Sequence, residues 1–146
     1  LPPQMTTERG SSSHRTPPLL WAAAVIPIAL EIVGLVWWLR WRFLRYEVAG
    51  QSMTPALAEN DWIIADRGPS GRYRPQAGHV VLFRDPEDRT RILVKRVGHI
   101  DLHGNAWLLG DNAAVSRDSR VFGPVPPELI FARARWRYWP FGQFTI

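Results

Sequence analysis

From Leu19 to Leu39 the chain reads LLWAAAVIPIALEIVGLVWWL, 21 residues with one charge, Glu31. As a helix at ~1.5 Å per residue the run is about 30 Å long, the thickness of one hydrocarbon core. Trp21 stands near one end, and Trp37, Trp38 and Trp41 near the other. Indole rings favour those two interfaces. A cleaved signal peptide has a shorter apolar run followed by small residues. Here tryptophan and arginine follow, and the rest of the chain is too small to surround a core helix of this length. The expectation is an uncleaved single-pass anchor over residues 19–41, in a cell membrane. Residues 1–18, with Ser11, Ser12, Ser13 and four prolines, read as a disordered tail.

Arg9 and Arg15 precede the run, and Arg40, Arg42 and Arg45 follow it closely. Positive-inside counting therefore puts the C-terminal part in the cytoplasm, by three charges to two.

Residues 46–146 are left for a domain. Hydrophobic residues make up 46% of the chain, which excludes a wholly disordered protein. The absence of cysteine excludes disulfides, a thiol nucleophile and cysteine metal sites. WIIA (62–65), HVVLF (79–83), ILVKRV (92–97), AWLL (106–109) and FARARWRYW (131–139) are short, apolar or β-branched, and bounded by turn formers. His103, Gly104 and Asn105 predict a hairpin turn. No long stretch after residue 45 carries a helical period. The fold class expected is a small, mainly β domain behind one transmembrane helix.

Lys95 is the sole lysine beside 17 arginines. With strand period 2 it shares a face with Leu93 and Val97. On a core face its ammonium is desolvated, which lowers its pKa. A neutral amine can take a serine proton, and a guanidinium cannot. Ser52 lies between Gly50 and Pro55, in a turn that can expose a hydroxyl. Ser/Lys pairs are a variant of activated-serine catalysis. Taken singly, a serine in a turn is ordinarily a turn former, and a lysine in a strand a surface residue.

The wider pattern weighs against those plain readings. GQSMTPAL (50–57), VVLFRDP (80–86), ILVKRVG (92–98) and LLGDNAAVSRDSRVFGPV (108–125) resemble, in the same order, the boxes of the type I signal peptidase (leader peptidase) family. That family includes the mitochondrial inner-membrane peptidases. The resemblance covers about residues 46–140, and GDNAAVSRDSR is its most specific part. It implies that Ser52 is the nucleophile, Met53 the residue shaping the site beside it, and Lys95 the general base. Ser116 matches the serine that orients the lysine amine. Asp118 and Arg120 match the pair that holds its loop, and Gly110, Asp111 and Asn112 the supporting turn. It implies no metal and no cofactor. Gly50 stands where some bacterial members have a serine that donates to the oxyanion hole, and Asn60-Asp61 replaces the usual Gly-Asp. Only 14 residues separate Lys95 from Gly110, so this is a minimal catalytic unit.

The implied function is removal of N-terminal signal or leader peptides from preproteins. The peptide is expected to bind in extended form, in many members with cleavage after small residues. The implied partners are that peptide and the lipid membrane, with a partner subunit left open. The resemblance implies an extracytoplasmic catalytic domain, against the charge count. Two other readings compete. One is trimming of a cytosolic proprotein, since the compact form and PPELIFARARWRYWP also resemble nickel superoxide dismutase maturation proteases. The other is a catalytically silent, anchored β domain that binds partners. His99 and His103 have a metal spacing only on a helix, which the surrounding pattern does not predict. The alternating Arg133, Arg135 and Arg137 read as a solvated face or one resting on anionic lipid, rather than a nucleic-acid surface.

Overall fold

The computed structural model describes residues 18–71 and 73–140, with side chains from residue 25 onward. Of the tail expected over 1–18, only Pro18 lies inside the described residues, where it opens a helix. The chain divides into two compact units between Val36 and Trp37.

Helix α1 runs Pro18–Arg42, slightly longer than the run expected from sequence. Val25, Ile26, Leu30 and Val33 are among its exposed apolar side chains. Among the described residues no helix is long and apolar enough to cross a membrane. Over residues 25–42 α1 carries three charges, Glu31, Arg40 and Arg42.

The second unit is built on one six-stranded antiparallel sheet. Its strands are β1 (Phe43–Glu47), β2 (Trp62–Asp66), β3 (Val80–Arg84), β4 (Ile92–Ile100), β5 (Ala106–Leu109) and β6 (Ile130–Trp139). Their spatial order is β1-β2-β6-β3-β4-β5, so the last strand lies inside the sheet. The mainly β expectation holds, and five of the six strands match the apolar segments read from sequence. β1 was not expected: the alternation in FLRYE spans only Leu44–Glu47, and the strand continues directly from α1. It pairs with β2, with Leu44 opposite Ala65 and Tyr46 opposite Ile63.

Side-chain alternation splits the core in two. Val80 and Leu82 of β3 point to a cluster with Val48, Met53, Leu57, Ile63 and Ala134. Val81 and Phe83 point the other way, to Val97, Leu108, Val125 and Ile130. A strand buried on both faces reads as an unbroken apolar run, as VVLF does. Bulges interrupt the β2–β6, β3–β6 and β4–β5 pairings. Such insertions bend and coil a sheet. The Tyr46 hydroxyl donates to the Ile92 carbonyl at 2.8 Å, tying β1 to β4 across the first cluster.

A four-residue helix, α2 (Ser119–Phe122), follows β5 and the turn after it. The Asp118 side chain caps it by accepting from the Arg120 N–H. In the β4–β5 hairpin, the Asp101 carboxylate accepts the N–H groups of His103 and Asn105, both at 2.8 Å. That closes the turn expected there, by a local side-chain bond of the Asx type.

Candidate active site

Ser52 lies in the turn between β1 and β2. Gly50 enters it at φ +79°, a backbone angle that strains any residue with a Cβ. The Thr54 N–H and hydroxyl both donate to the Gln51 carbonyl, at 3.2 and 2.8 Å. The Leu57 N–H donates to the Met53 carbonyl at 2.8 Å. Met53 and Leu57 are fully buried in the first cluster. Two core side chains thus hold the turn, and Ser52, beside Met53, stays half-buried at the surface.

Lys95 sits on β4 opposite Val81, with Leu93 and Val97 on the same face. It is 3% exposed. Its Nζ lies 2.5 Å from Ser52 Oγ, within hydrogen-bonding distance. Burial pulls the lysine pKa below its ordinary value, and the more distant carboxylates of Asp118 and Asp111 only partly oppose this. An ammonium stripped of water has lost hydration that two remote anions do not replace.

The segment 110–120 backs this pair. Gly110 comes so close that a Cβ there would lie 2.1 Å from Ser116 Oγ and 2.6 Å from the Ser52 carbonyl oxygen. The Asn112 N–H donates to that same Ser52 carbonyl at 3.0 Å, and its amide donates to Thr54 Oγ1 at 3.0 Å. Asp111 forms a two-bond pair with Arg96, at 2.9 and 2.8 Å, next to Lys95 in the chain. Asp118 is fully buried. It accepts from the Gly110 N–H at 2.8 Å, the Ser116 hydroxyl at 2.7 Å, and the Arg120 guanidinium at 2.9 and 2.5 Å. Burial alone would raise its pKa. The Arg120 bonds and the Gly110 and Ser116 donors outweigh it and hold the carboxyl well below the usual carboxylate range. All ten residues singled out in the sequence therefore gather around one turn. The Ser116 hydroxyl is directed at Asp118 in this arrangement.

A cleft of about 330 Å³ opens on Ser52 and Lys95, with Gly50, Leu93, Arg91 and Arg117 among its walls. A smaller hollow of about 190 Å³, walled by Tyr46, Val48, Met53 and Val94, opens on the same two residues. Sequence reasoning missed both arginines. Arg117 lies inside one of the boxes already noted, and the structure pairs it with Asp85 of another, VVLFRDP, at 2.8 Å and brings it to Glu87.

The other candidates fall elsewhere. Among the described residues no group of three or more His, Asp or Glu could hold a metal ion. His99 stacks on Trp107, with ring centroids 5.6 Å apart. The basic strand is not the open stripe its alternation suggested: Arg137 pairs with Asp61 at 3.2 Å and Arg135 with Asp66 at 3.5 Å. The two acids lie on or beside β2, next to β6, which the sequence pattern alone did not reveal.

A serine hydroxyl beside a buried amine of lowered pKa can be deprotonated for attack on a carbonyl. Comparisons with known proteins identify the family. The family described as "Signal peptidase, peptidase S26" matches residues 20–100 and 102–139. The mitochondrial ATP-independent inner membrane protease subunit 1b of Arabidopsis thaliana is 32% identical, over 65% of this chain and 69% of its own. Mitochondrial inner membrane protease subunit 1 of Mus musculus is 30% identical, over 66% and 69%. Subunit 2 of Schizosaccharomyces pombe is 30% identical, over 66% and 64%. The chain belongs to the signal peptidase family S26 and is a serine peptidase that acts on a peptide substrate.

Proposed function

We propose that this chain is a membrane-anchored endopeptidase that removes N-terminal signal or leader peptides with a Ser52/Lys95 dyad. The observation that carries the proposal is the 2.5 Å approach of Lys95 Nζ to Ser52 Oγ, with the amine buried. Neutral Lys95 accepts the Ser52 proton as Oγ attacks the scissile carbonyl. The Ser52 N–H is the proposed donor to the oxyanion. The amine product leaves with the proton from Lys95, and an acyl-enzyme remains. Water then attacks the ester, again with Lys95 as base, and Ser52 is restored. Ser116, through Asp118 and Gly110, positions this pair from behind.

The sheet supports binding of an extended peptide. β5 pairs with β4 only along Arg96–Ile100, so residues 92–95 beside Ser52 have no strand partner on that side, where the Tyr46 hydroxyl takes the Ile92 carbonyl. A peptide strand can add to such an edge. The anchor is supported by the 21-residue apolar run and by the tryptophans and arginines at its end.

The test uses the purified full chain in detergent and a preprotein with an uncleaved leader. Ser52→Ala and Lys95→Ala should each lower kcat/KM by about 10⁴-fold or more, with the fold retained. Lys95→Arg should be equally inactive, because it keeps the charge and loses the base. A serine-acylating peptidase inhibitor should label the wild type and not Ser52→Ala. Full activity in any of these three variants sinks the dyad.

A further inference from the structure

Away from the cleft, a hollow of about 420 Å³ lies between the end of α1 and the loop after β2. Its walls include Arg42, Asp66, Ser70, Tyr73, Arg74 and Arg135. Three guanidiniums face one carboxylate here. Asp66 is already saturated: one oxygen accepts from Arg42 Nε at 3.0 Å and the Gly68 N–H at 2.8 Å. The other accepts from Arg42 Nη2 at 3.1 Å and Arg135 Nη2 at 3.5 Å. Arg135 spends one long bond on it, and Arg74 has no ion pair or side-chain hydrogen bond among the described residues. Next to the hollow, Arg133 keeps a buried Nε without a partner. Burial, and then the charge of Arg135, hold the Arg133 pKa below its ordinary value. The walls of the hollow itself therefore carry two more cations than anions, and among the described residues Arg74 and Arg135 keep most of their N–H donors unspent.

The shape suits a compact anion with several acceptor oxygens. Planar guanidinium forks bind phosphoryl oxygens in pairs, and the Ser70 hydroxyl adds a further donor. A lone carboxylate ligand would leave most of the forks unused.

We propose that this hollow is a binding site for a phosphoryl group, held by Arg74 and Arg135 with Arg42 and Ser70. The same chemistry is offered by a phospholipid headgroup and by free phosphate. Arg42 is the last residue of α1, so a lipid could reach it if α1 is embedded. The site lies apart from Ser52 and Lys95 and does not depend on their roles.

The experiment is calorimetric titration of the full chain in uncharged detergent micelles. One arm uses inorganic phosphate and the other dihexanoyl phosphatidic acid. Saturable binding is expected in at least one arm, weakened about tenfold by Arg74→Gln, the loss of one charge-assisted contact. Arg74 is exposed, so this variant should fold and keep its peptidase activity. Arg74→Gln/Arg135→Gln should bind neither probe. If phosphatidic acid binds more than tenfold tighter than phosphate, the ligand is a headgroup. If the two bind alike, it is a soluble phosphate. Absence of saturable binding in both arms, or binding unchanged in Arg74→Gln, overturns the site.

Discussion

At the scale of single residues the molecule turns on two buried charges handled in opposite ways. Lys95 is desolvated and held with a lowered pKa, whereas Asp118 is desolvated and surrounded by donors. The first has a kinetic consequence. If Lys95 is the base, kcat/KM rises with pH through the lysine pKa, then levels. That rise should fall below the ordinary lysine value of about 10.4. A pH–rate profile of leader cleavage checks this, and a limb centred at or above 10.4 contradicts it. The second consequence concerns stability. Between its lowered folded pKa and its unfolded pKa, Lys95 binds more protons unfolded than folded, so it destabilises the fold at neutral pH and this cost fades as pH rises. Lys95→Met should therefore lose activity yet melt at a higher temperature at pH 7. Asp118 runs the other way. Its depressed folded pKa gives stability that is present above the unfolded value near 3.9 and lost as pH falls below it. Asp118→Ala should cost about 3 kcal/mol in denaturant unfolding at neutral pH, since it strands a buried N–H and part of a guanidinium.

At the scale of elements the site is an agreement between one turn and one strand, enforced by a third segment. Gly110 shows how tight that agreement is. Its missing Cβ is the space occupied by Ser116 Oγ and the Ser52 carbonyl. Gly110→Ala should therefore displace the Ser52 backbone as well as the Ser116 side chain. The expected result is a loss of more than about 2 kcal/mol in stability, as for overpacking, with a fall in kcat larger than any change in KM. The elements that sequence reading found were those whose pattern matches their burial. VVLF is apolar throughout because β3 is covered on both faces, and AWLL is apolar too, with Ala106 and Leu108 buried and Trp107 and Leu109 half-buried. β1 escaped because Leu44 and Tyr46 are only half-buried, with Arg45 exposed between them. The site was legible residue by residue because its boxes are short and specific. Its walls were less so: Arg91 and Arg117 reach the cleft by strand register and an ion pair with Asp85, which local spacing does not encode.

For the whole molecule the open matter of topology has a direct measurement. In sealed spheroplasts carrying a tag after Ile146, external protease should digest the second unit if it faces outward, as the family reading implies. Survival until lysis would favour the charge count, and with it a cytosolic proprotein as substrate. The order of strands carries a consequence in time. β6 is made after the other five described strands, yet it stands between β2 and β3 and joins the half-sheet of β1 and β2 to that of β3, β4 and β5. Ser52 is attached to the first half and Lys95 belongs to the second. A ribosome that has not yet released residues 130–139 holds a chain whose two halves have no shared strand. On the proposed dyad such a nascent chain is a harmless polypeptide, and hydrolytic power is switched on only once residues 130–139 are free to pair.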